Sequence, residues 1–162
     1  MQSISLTGLG LLICCAVLPA AAAPVKVAVA DFDYQDTSGE VRDQAAAHQA
    51  RLKALKAGII DILAKSGNFA PEPLQCSAAP CSANRLDQDS ITKDAQAEKA
   101  QFVVFGAVHK MSSLIQWGEI EVMNVSTGQS TLTRTITFRG DSDDAWQHAT
   151  DFIGKMLVAD LH

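Results

Sequence analysis

A chain of 162 residues with 18 acidic and 13 basic side chains, a formal net charge of -5, is sized for one domain built on one main core. That acidity excludes the basic footprint with which proteins hold nucleic acid or an anionic lipid surface, so neither is an expected partner. The hydrophobic share of 48% overstates the core, because part of it lies in the first residues.

Leu6 to Val17 is an apolar or small-residue run too short to span a bilayer, followed by Pro19 and Ala20 to Ala23. This is the pattern of a secretory signal peptide over residues 1–22, although Met1 carries its only positive charge. Cleavage after Ala22 sets Ala20 and Ala22 at the small-residue positions and leaves residues 23–162 as a single α/β domain that does not span a membrane. An uncleaved anchor is the rival reading. Bulky Ile13 before Cys14 argues against a lipoprotein. Removal of the leader discards Cys14 and Cys15 and leaves Cys76 and Cys81.

Val25 to Ala30 is almost wholly apolar, as in a strand buried on both faces. Asp31 to Glu40 then reads as a loop, with acids, Gly39 and short polar residues. Asp31, Asp33, Asp36 and Glu40 are candidate ligands for a divalent cation or small molecule at a strand's C-terminal end, where α/β sheets place their sites. The spacing is not that of an EF-hand, and a solvated acidic loop is the favoured reading.

From Val41 to Lys65, Leu52, Leu55, Ile59, Ile62 and Leu63 recur at three and four, giving a helix with one apolar stripe that ends at Gly67. Pro71 and Pro73 make Phe69 to Leu74 an edge strand if it is a strand at all. Cys76 and Cys81, close together in an exported chain, predict a structural disulfide rather than a metal or redox pair. Ser82 to Ala100 is polar, with a short helix expected from Ser90.

Gln101 to Trp146 is a β-rich stretch of three runs with a tight turn at Ser126 to Gln129, an antiparallel meander. In the last run Leu132, Ile136 and Phe138 alternate with Thr131, Thr133, Thr135 and Thr137. In the middle run Ile115 and Trp117 share one parity while Leu114, Ile120 and Val122 share the other. A bulge at Gly118 would reconcile them; otherwise Trp117 belongs to an exposed aromatic patch that marks a partner surface. Asp141 or Ser142 caps a final helix with Trp146, Ala149, Ile153, Met156 and Leu157 on one stripe, and Asp141 is the favoured cap. The expected fold is a two-layer α/β (α+β) domain, a mixed sheet ending in the meander and covered on one face by two amphipathic helices.

Catalytic signatures are lacking: no nucleophile elbow, phosphate loop or dinucleotide fingerprint occurs, and His48, His109, His148 and His162 have no metal spacing. No cofactor is implied, and a non-enzyme is expected. Arg139-Gly140-Asp141 is read as a strand-to-helix junction and not as an adhesion tripeptide.

Four blocks in order carry a resemblance: Asp36-Thr37-Ser38-Gly39-Glu40, the Cys76 and Cys81 pair, Lys110-Met111-Ser112-Ser113-Leu114-Ile115, and Arg139-Gly140-Asp141-Ser142-Asp143-Asp144-Ala145-Trp146. The chain resembles small exported bacterial proteins classed as a domain of unknown function, over most of its mature length. Ser113 stands for that family's Asn, Ala145 for its Ser, and Lys99-Ala100-Gln101 where members often have Gly-Ala-Asp. At the level of fold it is similar to the N-terminal domain of the Tol-system propeller protein and to curli-secretion-type envelope modules. The resemblance brings no substrate, cofactor or site with it, and the expected function is a non-enzymatic periplasmic binding or assembly module that presents a sheet surface or strand edge to an envelope protein. A ligand- or cation-binding protein using Asp31 and Asp33 is the alternative.

Overall fold

The computed structural model describes residues 23–77 and 79–161; the expected leader and its cleavage point before Ala23 lie outside them. In chain order the elements are β1 (Val25–Val29), β2 (Asp33–Asp36), α1 (Ala45–Lys65), β3 (Phe69–Pro73), α2 (Gln88–Ala97), β4 (Phe102–Lys110), β5 (Ile115–Asn124), β6 (Gln129–Arg139) and α3 (Asp143–Asp160). They form one mixed sheet in the order β3-β1-β4-β5-β6, with β2 also paired to β4. The meander β4-β5-β6 is antiparallel and the remaining pairings are parallel.

β1 is buried on both faces and lies inside the sheet, and the proline-bearing β3 lies at its edge. The expected loop over Asp31 to Glu40 is corrected at its centre, because Asp33–Asp36 is a strand. β1 pairs with only Phe102, Val103 and Val104 of the nine-residue β4, and β2 takes up Ala107 to Lys110. Backbone groups along a long central strand require partners, and that need overrides the poor strand propensity of two aspartates in four residues.

α1 and α3 cover one face. Leu52, Leu55, Ile59, Leu63, Trp146, Ile153 and Leu157 pack on Val27, Val29, Val104, Val108, Ile120 and Val122. The helices approach closely where Gly154 meets Ile62: a Cβ at Gly154 would lie 2.6 Å from Ile62 Cδ1. α1 begins at Ala45, four residues after the expected start, and ends before Gly67, whose φ of 75° suits a helix terminus.

The other sheet face is also covered, though over half its length only. Ile91 and Ala95 of α2, with Leu74 and Cys81, pack on Ala28, Val103, Phe105 and Met123. α2 starts before Ser90, because Asp87 is its N-cap and accepts from the Ser90 backbone N–H at 2.7 Å. Cys76 and Cys81 form the expected disulfide.

No bulge occurs at Gly118, which pairs with Val108 and Ile136 in unbroken register; the irregularity lies between Val122 and Met123. The parity conflict has a simpler origin, since Leu114 precedes the strand. Gln116, Gly118, Ile120 and Val122 then face the helices, and Ile115, Trp117 and Glu119 face outward. Among the described residues, no helix is long and apolar enough to cross a membrane.

Candidate functional site

Strand alternation determines the most unusual feature of the molecule. Val104 and Val108 of β4 point into the helix-covered core, and two residues further the same parity turns Lys110 inward, where it is fully buried. A buried ammonium is tolerable only if it is paired and hydrogen-bonded. Lys110 Nζ donates to Glu40 Oε2 and to Asp141 Oδ2, both at 2.7 Å, and lies 4.0 Å from Asp36 Oδ2.

Asp141 is the hub. His48 Nε2 lies 2.9 Å from its Oδ2, while its Oδ1 accepts from Arg51 at 2.7 Å, Gln116 Nε2 at 3.2 Å and Trp146 Nε1 at 3.3 Å. Arg51 also donates to Asp143, and Tyr34 stacks on His48 with ring centroids 4.4 Å apart. Burial alone would raise the Asp141 pKa, but the hydrogen bonds from Lys110 and His48 outweigh it and hold the carboxyl well below the ordinary range. Burial works against the charged form of Lys110 too, and the bonds to Asp141 and Glu40 reverse the effect and raise its pKa. Both groups are held ionised. Their pairing ties the end of β4 to the β6–α3 junction.

Three of the four quoted sequence blocks converge here, and the Cys76 and Cys81 pair lies apart from them beside Asp31. Thr37 donates to the Lys110 carbonyl through its N–H at 2.9 Å and its hydroxyl at 3.2 Å, and Ser38 Oγ donates to Asp36 at 2.6 Å. Gly39 and Gly140 take φ of 72° and 93°, which favour glycine. The Gly140 N–H donates to the Leu114 carbonyl and its carbonyl accepts from Gln116, while Ser112 Oγ accepts from the N–H groups of Leu114 and Ile115. Asp141 is therefore not the helix cap. Ser142 caps α3 by accepting from Ala145 N, which frees Asp141 to turn inward toward Lys110. His48 is buried, bonded to Asp141 and stacked on Tyr34. His48, Arg51 and Gln116 are the members that the sequence reading did not place. Their available signals were the i,i+3 spacing of His48 and Arg51 on one helix face and the inward parity of Gln116.

The four candidate carboxylate ligands do not converge. Asp31 accepts from Lys56 Nζ at 2.8 Å and from Cys81 N at 2.9 Å, and Asp33 accepts from Asn84 N at 2.9 Å. Asp36 and Glu40 belong to the Lys110 cluster instead. Among the described residues, no group of three or more His, Cys, Asp or Glu side chains is placed to hold a metal ion.

On the opposite sheet face, immediately behind the clamp, the picture reverses. Lys110 and Gln116 are register partners facing inward; the adjacent partners His109 and Trp117 face outward and stack in parallel at 4.1 Å. Trp117 is half-buried by that stack. Ile115 on the same face is 43% exposed, and Met111 and Leu114 in the adjoining hairpin are 57% and 69% exposed. This half of the sheet lies beyond the cluster that α2 covers.

The sequence model of the family described as Protein of unknown function (DUF2380) matches residues 25–157. The chain belongs to that family. The DUF2380 match spans every element of the sheet and almost all of α3, so it contains the whole clamp. No curated protein matches this sequence. Among solved structures, the PelC dodecamer from Paraburkholderia phytofirmans is similar with a TM-score of 0.55 and 21% identity, covering 86% of this chain and 89% of that one. The hypothetical protein CT253 from Chlamydia trachomatis gives a TM-score of 0.54 at 12% identity, over 85% of this chain and 95% of the other. TolB from Acinetobacter baumannii gives 0.52 at 15% identity, over 85% of this chain and 29% of TolB, in keeping with the fold-level resemblance to a Tol-system domain. At these identities the likeness is one of fold.

Proposed function

We propose that this DUF2380 protein is a non-catalytic binding or assembly module of the bacterial periplasm that presents the uncovered half of its outer sheet face to an envelope protein. The observation that carries this reading is the exposure of Met111, Leu114 and Ile115 in and beside one hairpin, next to half-buried Trp117 on the outer face. These side chains sit on the strands and hairpin that the Lys110 and Asp141 clamp fixes from behind. Conserving geometry there serves a surface that must be presented rigidly. The disulfide and the fold shared with PelC and TolB support an exported location.

A photo-crosslinking side chain placed at Leu114 or Ile115 in the exported protein tests it. A discrete adduct with one envelope protein is expected from these positions and not from exposed Lys53 on α1. The adduct should disappear in Trp117→Ala with the circular dichroism spectrum unchanged. Equal crosslinking from Lys53, or an adduct that survives Trp117→Ala and Leu114→Asp together, refutes the surface.

A further inference from the structure

We propose that β6 pairs with β6 of a second copy of this chain, antiparallel about a two-fold axis at Arg134, so that two sheets become one. This does not rest on the reading above, because it uses the sheet edge and not the outer face.

β6 ends the strand order, is 11 residues long and contains no proline. Sheet edges are ordinarily protected by short length, proline, bulges or an inward-pointing charge. Two such devices are present: the irregularity that leaves Thr131 of β6 unpaired between Ser130 and Leu132, outside the segment from Leu132 to Ile136, and Arg134, whose parity is that of inward-facing Leu132 and Ile136. Its charge is answered within the chain, since Arg134 Nη2 lies 3.1 Å from Asp160 Oδ2.

The residues around it are self-complementary. Thr131-Leu132-Thr133-Arg134-Thr135-Ile136-Thr137 reads as the same residue classes in both directions. An isologous contact requires this property, because each position meets its mirror position in the other copy. Pairing centred on Arg134 sets Leu132 against Ile136 on the helix side and Thr133 against Thr135 on the outer side, both favourable cross-strand pairs. Arg134 meets Arg134, and the Asp160 carboxylate of each copy makes the centre an alternating quartet. A one-residue slip would turn the whole apolar set to the wrong face. Recentring on Ile136 would set Arg134 against Phe138.

A second observation lies on α3. Gly154 and Thr150 abut α1, and Phe152, about 200° around the helix from Gly154, points away from it. α1 contacts β2 and β3 whereas α3 contacts β6, so the flank of α3 away from α1 overhangs the open edge. Phe152 is 59% exposed there, and half-buried Met156 lies one turn further on. The two-fold that joins the strands brings these flanks together and covers Phe152.

The full exported chain is examined by size-exclusion chromatography with light scattering from micromolar to millimolar concentration. Twice the chain mass is expected, falling to the single-chain mass in Phe152→Asp with an unchanged circular dichroism spectrum. In a separate arm, Thr133→Cys and Thr135→Cys proteins are mixed under mild oxidation. The mixture should form a covalent heterodimer faster than either protein crosslinks alone, because those two positions face each other and neither faces itself. A single-chain mass throughout overturns the proposal. So does a dimer unaffected by Phe152→Asp whose two cysteine variants crosslink no faster together than apart.

Discussion

Changing Asp141 to Ala separates a clamp from a helix cap by magnitude. If Asp141 only capped α3, its loss would cost about 1 kcal/mol, and Asn would restore most of it. In the structure its side chain is 8% exposed and receives Lys110, His48, Arg51, Gln116 and Trp146, so truncation strands a fully buried ammonium with Glu40 as its one close carboxylate. Removing one partner of a buried pair costs about 3–5 kcal/mol, a large share of the roughly 5–15 kcal/mol that holds a domain folded. Asp141→Asn should cost almost as much. One carboxylate oxygen serves Lys110 and His48 and the other serves Arg51, Gln116 and Trp146, so an amide nitrogen would face donors in either orientation. Ser142→Ala, by contrast, should cost about 1 kcal/mol as the true cap. Urea unfolding gives all three values on one scale. The reasoning fails if Asp141→Ala costs no more than Ser142→Ala, or if Asp141→Asn is near wild type.

The clamp also sets a pH window. Asp141, Asp36 and Glu40 have pKa values lowered from 3.8, 3.8 and 4.5, so their stabilisation is complete above those values and is lost as acid protonates the folded state below them. Lys110 is raised above 10.5, so its share is complete below that pH and is lost only as alkali titrates the folded state. The urea midpoint should therefore be flat from about pH 5 to 10 and fall on both sides, with the acid limb shallower in Asp141→Asn. Replacing Cys76 and Cys81 with Ser should lower stability by about 2 kcal/mol, read from the same unfolding curves, and leave partner crosslinking at Leu114 intact. Lys99 has a φ of 59° at a position where members of the family often carry Gly, so Lys99→Gly should raise the midpoint by the equivalent of about 1 kcal/mol. Calcium or magnesium should shift the melting temperature no more than sodium at matched ionic strength, since the acids at Asp31, Asp33, Asp36 and Glu40 are dispersed; a saturable shift lost in an Asp31→Asn, Asp33→Asn double variant would restore the cation reading.

What the sequence disclosed follows from the range over which its signals act. The stripe from Leu52 to Leu63, the buried run of β1 and the alternation in β6 are each local, and each led to an element that the structure contains. β2 was missed because its cause is not local: Asp33–Asp36 is a strand because β4 extends past β1, a fact of tertiary arrangement. α2 carries few apolar residues, and its role on the second sheet face became visible only with Val103, Phe105 and Met123 beneath it. The clamp was the least legible part. Its members come from β2 and the segment after it, from α1, β4 and β5, and from the β6 to α3 junction, and its central pair, Lys110 and Asp141, is separated by 31 residues.

The family blocks nevertheless pointed to it, and their departures in this chain sharpen the argument. Glu40, Lys110 and Trp146, whose polar atoms meet Asp141 or one another in the clamp, retain the family residue. Asp141 stands where the family block has Asn, while Ser113 is exposed in the β4–β5 hairpin and Ala145 contributes to the α3 cap only through its backbone N–H. Lys99 sits in the turn before β4, where the demand is on φ and not on chemistry. Of the retained residues, Lys110 and Trp146 are turned inward, whereas Leu114 and Ile115 are exposed in and beside the hairpin that the clamp holds. Under the function proposed above, the clamp fixes the shape of the surface and the side chains on that surface select the partner.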